Sequence, residues 1–207
     1  MFESILTPEA KAMIEILSKW PAMHDFYLSG GTAAALQLGH RTSHDFDFFS
    51  QAGFRHQVHA RSLRALGRFL VDYTDANTLV GRFNDVKVGF FHYPYPLLKA
   101  TRRWQGINIA SLEDIACSKM EAISSRGKKR DFVDLYFILK TLSLNLKEML
   151  RLFEQKYGSE PYNLIHIQKS LVFFQDAEQD PEPRLQVAFS WEECKSFFVD
   201  QIRQWGE

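Results

Sequence analysis

The sequence has few of the features that mark secreted, membrane-bound or strongly charged proteins. Its two cysteines, Cys117 and Cys194, lie far apart within helical patterns. This excludes a disulfide framework or a cysteine metal site and favours a reducing cytoplasm. No signal peptide, lipidation motif or long apolar run is present, so we expect no membrane segment. The 25 Lys and Arg residues balance the 25 Asp and Glu residues, which argues against a broadly basic nucleic-acid-binding surface.

The composition and periodicity indicate an ordered α+β protein. The chain has 207 residues, 45% of them hydrophobic, which is enough for one substantial core. Alternating and β-rich segments predict strands at 25–28, 45–49, 71–81 and 83–91. Helical patterns predict helices at 8–20, 33–38, 55–69, 128–142, 146–157, 163–175 and 191–205, and a further helix that begins at 112 and carries an apolar stripe as far as 123. We expect a small mixed sheet with flanking helices in residues 1–108 and a helical region in residues 109–207, packed as one compact unit.

Local signals refine these boundaries. Capping residues are predicted at Thr7, Ser111 and Ser190 for helix starts, and at Gly39 for a helix end. Turns are predicted at 75–77 and 84–85, and a loop at 175–184. The helix at 55–69 is basic and amphipathic, and its spacing predicts four inward-facing residues: Val58, Leu63, Leu66 and Phe69.

A glycine-rich turn follows the first predicted strand. Gly30 and Gly31 have no Cβ, so a ligand can approach the main chain there. The next residues predict a short helix whose free N–H groups favour an anion such as phosphate. Ser29 and Thr32 would add hydroxyls beside the phosphates. When the two glycines are considered alone, a tight turn in which they serve only the backbone conformation is the favoured explanation.

Two aspartates alternate with phenylalanines directly after this helix. In the segment Asp45-Phe-Asp-Phe-Phe49, Asp45 and Asp47 share one face of a strand and the phenylalanines between them share the other. Neighbouring carboxylates repel each other unless a cation lies between them. Their oxygens suit Mg²⁺ or Mn²⁺ together with the phosphates of a nucleoside triphosphate (NTP). Arg41 and Ser43, just upstream, are candidates to contact phosphate or to order the loop.

This arrangement of strand, Gly-Gly-Thr, helix and Arg-x-Ser-x-Asp-x-Asp resembles the nucleotidyltransferase fold of the DNA polymerase β superfamily. The sequence from Leu28 to Ser50 is even more similar to that of the AbiEii/AbiGii toxin family of nucleotidyltransferases. A second block, from Lys119 through Arg126-Gly-Lys-Lys-Arg-Asp131 to Asp134, resembles that family's Lys…Arg-Gly-x-Lys-Lys-Asp-x-x-Asp segment. The two blocks span about residues 25 to 140.

The resemblance assigns roles to the second block, each beside a simpler alternative. Lys119 lies on or beside the apolar stripe of its helix, where its stem could pack while the ammonium reaches water; the resemblance implies an active-site lysine that holds the triphosphate. The basic run from Arg126 could be a solvated loop, or it could bind phosphate or RNA. Asp131 and Asp134 could orient the nucleophile, accept its proton, or pair with Lys119 or Arg126. Both are predicted to face away from the core, because the core face of their helix is formed by Phe132, Leu135, Tyr136 and Leu139.

One expected element is missing. In the superfamily a third carboxylate usually lies on a strand beside the aspartate pair, and the resemblance places Gly89 at that position. Asp72, Asp75 and Asp85 are alternative donors, and nothing in their spacing selects one. The missing acid weakens a two-metal mechanism more than a one-metal mechanism.

The resemblance therefore implies a Mg²⁺-dependent nucleotidyltransferase that moves NMP from an NTP to a hydroxyl, with an RNA or tRNA 3′ end as acceptor. It further implies a toxin or phage-defence role and a cognate antitoxin. Aromatic and basic residues that could contact a single-stranded RNA end are Tyr93, Tyr95, Arg102, Arg103 and Trp104. The alternatives are a protein or small-molecule acceptor, or a non-catalytic nucleotide- or RNA-binding module.

Overall fold

A mixed sheet of seven strands forms the centre of the protein. The computed structural model describes residues 1–158 and 162–204. The strands are β1 Tyr27–Ser29, β2 Phe46–Ser50, β3 Phe69–Thr74, β4 Thr78–Phe83, β5 Val86–His92, β6 Arg102–Trp104 and β7 Ile107–Ile109. Their order across the sheet is β3-β4-β5-β2-β1-β7-β6. The predicted α+β class is confirmed.

The helices surround this sheet. They are α1 Pro8–Leu17, α2 Gly30–Leu38, α3 His56–Leu66, α4 Leu112–Arg126, α5 Lys129–Leu142, α6 Leu146–Tyr157, α7 Leu164–Ser170, α8 Gln175–Glu178 and α9 Trp191–Arg203. Two short 3₁₀ helices, Glu3–Ile5 and Pro21–Asp25, flank α1. Within the described part of the chain, no helix combines the length and apolarity needed to cross a bilayer.

The sheet has a buried back and a front that carries polar residues. Phe46, Phe48 and Phe90 are fully buried on the back. Trp20 covers them, making an edge contact with Phe90 and donating its indole N–H to Ser62 of α3. Because side chains alternate along β2, this burial turns the intervening positions of the strand toward the front, where α4 lies.

Local capping chemistry placed several helix starts correctly. Thr7 accepts a hydrogen bond from the Ala10 N–H at 3.2 Å, and Ser111 accepts one from the Asp114 N–H at 3.0 Å. Ser190 caps α9 in the same way, through the Glu193 N–H. Gly39 ends α2 with a φ of 66°, in the left-handed region that favours glycine.

Other sequence predictions were wrong. Val58 and Leu66, predicted to face inward, are 56% and 36% exposed. Leu63 is buried as predicted, together with Ala60. Phe69 is also buried, but the helix ends at Leu66 and Phe69 begins β3. The helix predicted to reach Trp20 ends at Leu17, before the 3₁₀ turn that begins at Pro21. The predicted strand at 71–81 is two strands joined at the predicted 75–77 turn, and strands β6 and β7 were not foreseen.

Some of the predictions for the C-terminal part were also wrong. Helix α7 ends at Ser170 rather than residue 175, and the predicted loop at 175–184 contains the short helix α8. The predicted end of the last helix, Trp205, lies outside the described residues. The predicted boundary at residue 108 falls within β7, which pairs with β1, and the division into two regions stays a prediction.

Candidate active site

The front of the sheet and helix α4 enclose a cleft of about 400 Å³. Eight of the residues singled out in the sequence line it: Gly30, Gly31, Arg41, Ser43, Asp45, Asp47, Lys119 and Arg126. The two sequence blocks, more than 70 positions apart, therefore meet at one place. Ser29, Thr32, Asp131 and Asp134 do not line the cleft; they are buried beneath it.

The Gly-Gly turn forms one wall of the cleft. Helix α2 begins at Gly30, three residues before the predicted start at Ala33. Its first N–H groups therefore lie at the cleft. Gly30 has a φ of 70°, and a Cβ there would lie 3.1 Å from Asp47 Oδ2. A Cβ on Gly31 would collide with the Arg41 guanidinium. Glycine is therefore required by backbone conformation at the first position and by close approach at the second.

Ser29 and Thr32 support this wall from inside. Ser29 is 6% exposed and Thr32 is 1% exposed. The Thr32 hydroxyl donates to the Asp45 carbonyl oxygen and lies 2.8 Å from Ser43 Oγ. The Thr32 side chain thus ties α2 to the loop before β2, which fixes the turn relative to the aspartates. It does not present its hydroxyl to phosphate, as the sequence had suggested.

Asp47 lies on the front of β2, and Asp45 immediately precedes this strand. Both line the floor of the cleft. Within the described residues, the Asp47 carboxylate has no hydrogen bond or ion pair. Burial and the charge of Asp45 raise its pKa, although Lys119, Lys87 and Arg126 oppose the shift. Asp45 has only a long contact, 3.4 Å, to the Lys87 ammonium. A half-buried carboxylate that lies beside a second one and has no direct partner would be stabilised by a bound cation.

These donors fit a magnesium-type ion. Two carboxylates supply hard oxygen ligands, and Mg²⁺ ordinarily takes only one or two from protein and completes its shell with water and substrate phosphates. In the described part of the chain, no group of three or more acidic, histidine or cysteine side chains forms a protein-only metal cage. An ion at this site would therefore depend on the nucleotide for part of its coordination.

The neighbouring strand explains the missing third carboxylate. Gly89 of β5 pairs with Asp47, in the register expected from the sequence. A Cβ on Gly89 would lie 2.5 Å from the Phe91 ring and 3.4 Å from Asp47 Oδ1. The Phe91 ring thus occupies the space into which an acidic side chain would project. None of the alternative acids, Asp72, Asp75 and Asp85, lines the cleft.

Beneath the cleft lies a buried ion network centred on Lys119. Its ammonium lies 2.8 Å from Asp131 Oδ1 and 2.6 Å from Asp134 Oδ2. Arg126 makes two hydrogen bonds to Asp131, of 2.8 and 3.1 Å. Lys119 is only 5% exposed, so it does not snorkel to solvent. Both aspartates are fully buried, although the sequence suggested that they face away from the core.

Asp134 has two further partners from the loop after α2. Arg41 binds it through Nε at 2.6 Å and Nη2 at 2.7 Å, and His40 Nε2 lies 2.8 Å from Oδ1. Burial alone would raise the pKa of Asp134, but Lys119, Arg41 and His40 outweigh it and hold the pKa well below its ordinary value. Sequence reasoning missed His40, because a single histidine carries no spacing signal.

The network has more positive than negative charge. Three cations, Arg41, Lys119 and Arg126, surround two carboxylates, Asp131 and Asp134. One positive charge is therefore left over, and all three cations border the cleft. These cations hold Asp131 and Asp134 as buried carboxylates and lower their pKa values against the effect of burial.

The rest of the basic run divides between surface and cleft. Arg130 lines the cleft, whereas Lys128 pairs with Asp180 at 3.0 Å. Lys129 lies over the Trp191 ring, 5.2 Å from its centroid. The run is therefore neither a wholly solvated loop nor a continuous phosphate clamp.

Of the aromatic and basic residues considered for RNA, only Tyr93 reaches the cleft, and its hydroxyl bonds to that of Tyr157. Trp104 donates its indole N–H to Glu3 at 2.9 Å. Arg102 and Arg103 lie on the edge strand β6. Glu121, which no motif flagged, also lines the cleft, and burial raises its pKa.

The C-terminal part of the chain holds the loop that carries Arg41. The Thr42 N–H donates to the Arg184 carbonyl at 2.9 Å, and the Gln186 N–H donates to the His40 carbonyl at 2.8 Å. These bonds form an isolated antiparallel bridge between Arg41 and Leu185. A segment without any recognisable motif thus helps to place the guanidinium over Gly31.

The network predicts a loss of stability in acid. Asp131 and Asp134 have lowered pKa values in the folded protein, so they stabilise it above the unfolded pKa of about 3.9. That contribution is lost as the pH falls below this value toward the folded pKa values. We expect urea unfolding to give a free energy that declines below about pH 4, with a shallower decline in Asp134→Asn. An equal pH slope in wild type and variant would contradict the assignment.

Comparison with known proteins identifies the family of this chain. The model of the nucleotidyl transferase AbiEii toxin family, type IV toxin–antitoxin system, matches residues 96–205. The chain belongs to the AbiEii family. As a family member it is a nucleotidyltransferase. The matched range carries the Lys119 to Asp134 block, and the Gly-Gly turn and aspartate pair precede it.

Individual relatives of this AbiEii-family protein extend over nearly the whole chain. The Aquifex aeolicus (strain VF5) protein aq_aa25, which is uncharacterized, is 36% identical over 206 residues, or 98% of each chain. Among solved structures, JHP933 from Helicobacter pylori superposes with a TM-score of 0.55 at 16% identity, covering 99% of this chain and 92% of its own. MenT4, a nucleotidyltransferase toxin from Mycobacterium tuberculosis H37Rv, gives 0.53 at 14% identity, with coverages of 95% and 84%. At these identities the structures confirm the fold.

Proposed function

We propose that this AbiEii-family nucleotidyltransferase transfers NMP from an NTP to a hydroxyl at an RNA 3′ end, with tRNA as acceptor and Mg²⁺ or Mn²⁺ as metal. The observation that carries the proposal is the Asp47 carboxylate, half-buried beside Asp45 and without a direct partner among the described residues. Such a pair is costly in the free protein, and a nucleotide-bound cation would relieve the cost.

The opposite wall of the cleft suits the triphosphate. The N–H groups at Gly30 and Gly31 open α2, where the helix dipole favours an anion. The surplus positive charge of the Lys119 network faces the same space, and Arg130 adds to it. Ser43 offers a hydroxyl near Gly31. We assign the β- and γ-phosphates to this wall.

The proposed reaction is an in-line displacement at the α-phosphorus. The acceptor hydroxyl loses its proton to solvent water as its oxygen forms a bond to phosphorus, and the bond to the leaving pyrophosphate breaks. A bound divalent cation would neutralise charge on the phosphates and on the leaving oxygen. The protein's own part is to hold the triphosphate and the aspartates in fixed positions, since catalysis of this type depends mainly on positioning and charge stabilisation.

The biological role that we propose is that of the toxin in a toxin–antitoxin or phage-defence pair. Membership of the AbiEii toxin family supports it. A partner antitoxin protein would follow from the same membership, and modification of tRNA would explain toxicity.

A labelling experiment tests this function. The protein is incubated with Mg²⁺, one α-³²P-labelled NTP at a time and bulk tRNA, and the products are separated on a denaturing gel. We expect label in tRNA, and none when EDTA replaces Mg²⁺. Parallel reactions contain cell lysate in place of tRNA.

Each outcome has a distinct meaning. Label in a lysate protein but not in tRNA would move the acceptor to protein and overturn the RNA proposal. Binding of NTP without label in any polymer would favour a non-catalytic module. Labelling that persists in EDTA would overturn the metal assignment.

A further inference from the structure

A second cleft, of about 390 Å³, adjoins the active site on the far side of Asp45. It lies between the start of α1, the loop before β2 and the β4–β5 hairpin. Three residues, Ser43, Asp45 and Lys87, line both clefts. Gly30, Gly31, Lys119 and Arg126 line only the first. The second cleft thus reaches Asp45 without reaching Gly30, Gly31, Lys119 or Arg126, on the side assigned to the triphosphate.

The order of the strands shows on which side of β2 each cleft lies. Strand β2, with the aspartates, lies between β1, which leads into the Gly-Gly turn, and β5, which carries Lys87. In an in-line displacement the attacking and leaving oxygens lie on opposite sides of phosphorus. If pyrophosphate leaves on the β1 side, the acceptor must approach from the β5 side, where the second cleft is.

Two cations that line this cleft, Arg82 of β4 and Lys87 of β5, are directly opposite each other in the antiparallel pair. Like charges at such positions destabilise a sheet. Among the described residues, Arg82 pairs with Asp72 at 3.6 Å and Lys87 pairs with Asp45 at 3.4 Å, and both contacts are long for ion pairs. The charges are therefore negative, positive, positive and negative in order from Asp72 of β3 to Asp45 just before β2. Two further carboxylates, Glu9 and Asp85, line the cleft, and neither forms an ion pair with these two cations within the described part of the chain.

An anion between the two cations would remove their repulsion. Both side chains are about half exposed, so they are accessible to a ligand. A phosphate matches the guanidinium through paired hydrogen bonds and the ammonium as a point charge. Engagement of Lys87 with a phosphate would also free Asp45 for the metal.

We propose that the Arg82–Lys87 pair binds a backbone phosphate of the RNA acceptor and directs its terminal hydroxyl across Asp45 to the α-phosphorus. This inference rests on the function proposed above and specifies where the acceptor binds. It predicts that Arg82 acts on the acceptor and not on the NTP.

The test compares Arg82→Ala with Arg82→Lys and with a control, Arg151→Ala, in steady-state transfer to bulk tRNA. Arg151 is an exposed arginine of α6 that lines neither cleft. For Arg82→Ala we expect the KM for tRNA to rise about tenfold, the loss expected for one charge-assisted contact. The KM for NTP should change less than about twofold. Arg82→Lys should recover part of the affinity, and Arg151→Ala should resemble wild type.

Binding of fluorescein-labelled tRNA gives a second readout that does not depend on turnover. The slope of log affinity against log salt concentration should fall by about one for Arg82→Ala. Circular dichroism confirms that each variant is folded.

The failures are distinguishable. If wild type labels tRNA and Arg82→Ala matches it in both assays, this inference is overturned and the proposed function stands. If Arg82→Ala raises the KM for NTP instead, the pair binds a phosphate of the NTP. Equal losses in Arg82→Ala and Arg151→Ala would show that the effect is general electrostatics and would overturn this inference. If wild type labels no RNA, the proposed acceptor fails and this inference fails with it.

Discussion

Asp47→Asn is expected to abolish nucleotidyl transfer and, at neutral pH, to make the free protein more stable. Asparagine keeps the shape of the side chain but removes the charge that would bind the metal. We expect transfer to fall by roughly a thousandfold, about 4 kcal/mol of transition-state stabilisation. Burial and the neighbouring Asp45 raise the pKa of Asp47, so its ionised form destabilises the fold above that pKa.

The gain in stability should depend on pH. Asp47 becomes protonated as the pH falls through its raised pKa, and the difference between wild type and Asp47→Asn should then shrink. Thermal unfolding from pH 4 to pH 8 measures this difference, and the tRNA labelling reaction measures transfer. Asp200→Asn, at an exposed carboxylate of α9, is the matched control and should alter neither property. Substantial transfer by Asp47→Asn would refute the metal site.

The second large effect is the expected destabilisation of Asp134→Ala. This substitution removes a fully buried carboxylate and leaves Arg41 and Lys119 with one remaining aspartate, Asp131. Breaking a buried ion pair from one side typically costs about 3–5 kcal/mol. Small domains have only about 5–15 kcal/mol of stability in all. We expect the unfolding midpoint to fall by roughly 10 °C, with loss of transfer as the loop at Arg41 moves.

Lys119→Met separates this structural role from the role in phosphate binding. Its removal leaves two matched pairs, Arg41 with Asp134 and Arg126 with Asp131. The loss of stability should therefore be clearly smaller than in Asp134→Ala, while the KM for NTP should rise sharply. Chemical denaturation and NTP titration measure the two effects, with Asp200→Ala as the surface control. If Lys119→Met unfolds as readily as Asp134→Ala, the proposed charge surplus is wrong.

The order of amino acids encodes much of the local chemistry of the site. The i, i+2 spacing of Asp45 and Asp47 sets them on one side of a strand, because side chains alternate. The two adjacent glycines indicated a close approach to the main chain, and in the structure the Arg41 guanidinium makes that approach at Gly31. Capping residues fixed several helix starts. These features depend on interactions a few residues apart, whereas the place of Gly89 beside the aspartates came from the family resemblance and agrees with the strand register.

Contacts between residues far apart in the sequence could be identified only in the folded structure. His40 and Arg41 bind Asp134 across separations of 94 and 93 residues, and no periodicity relates them. The same packing buries Asp131 and Asp134 with Lys119, where helix patterns suggested a snorkelling lysine and outward-facing acids. The Arg82–Lys87 row likewise depends on the strand order. Such pairings result from how whole elements pack, because burial forces each charge to find a partner wherever the fold brings one.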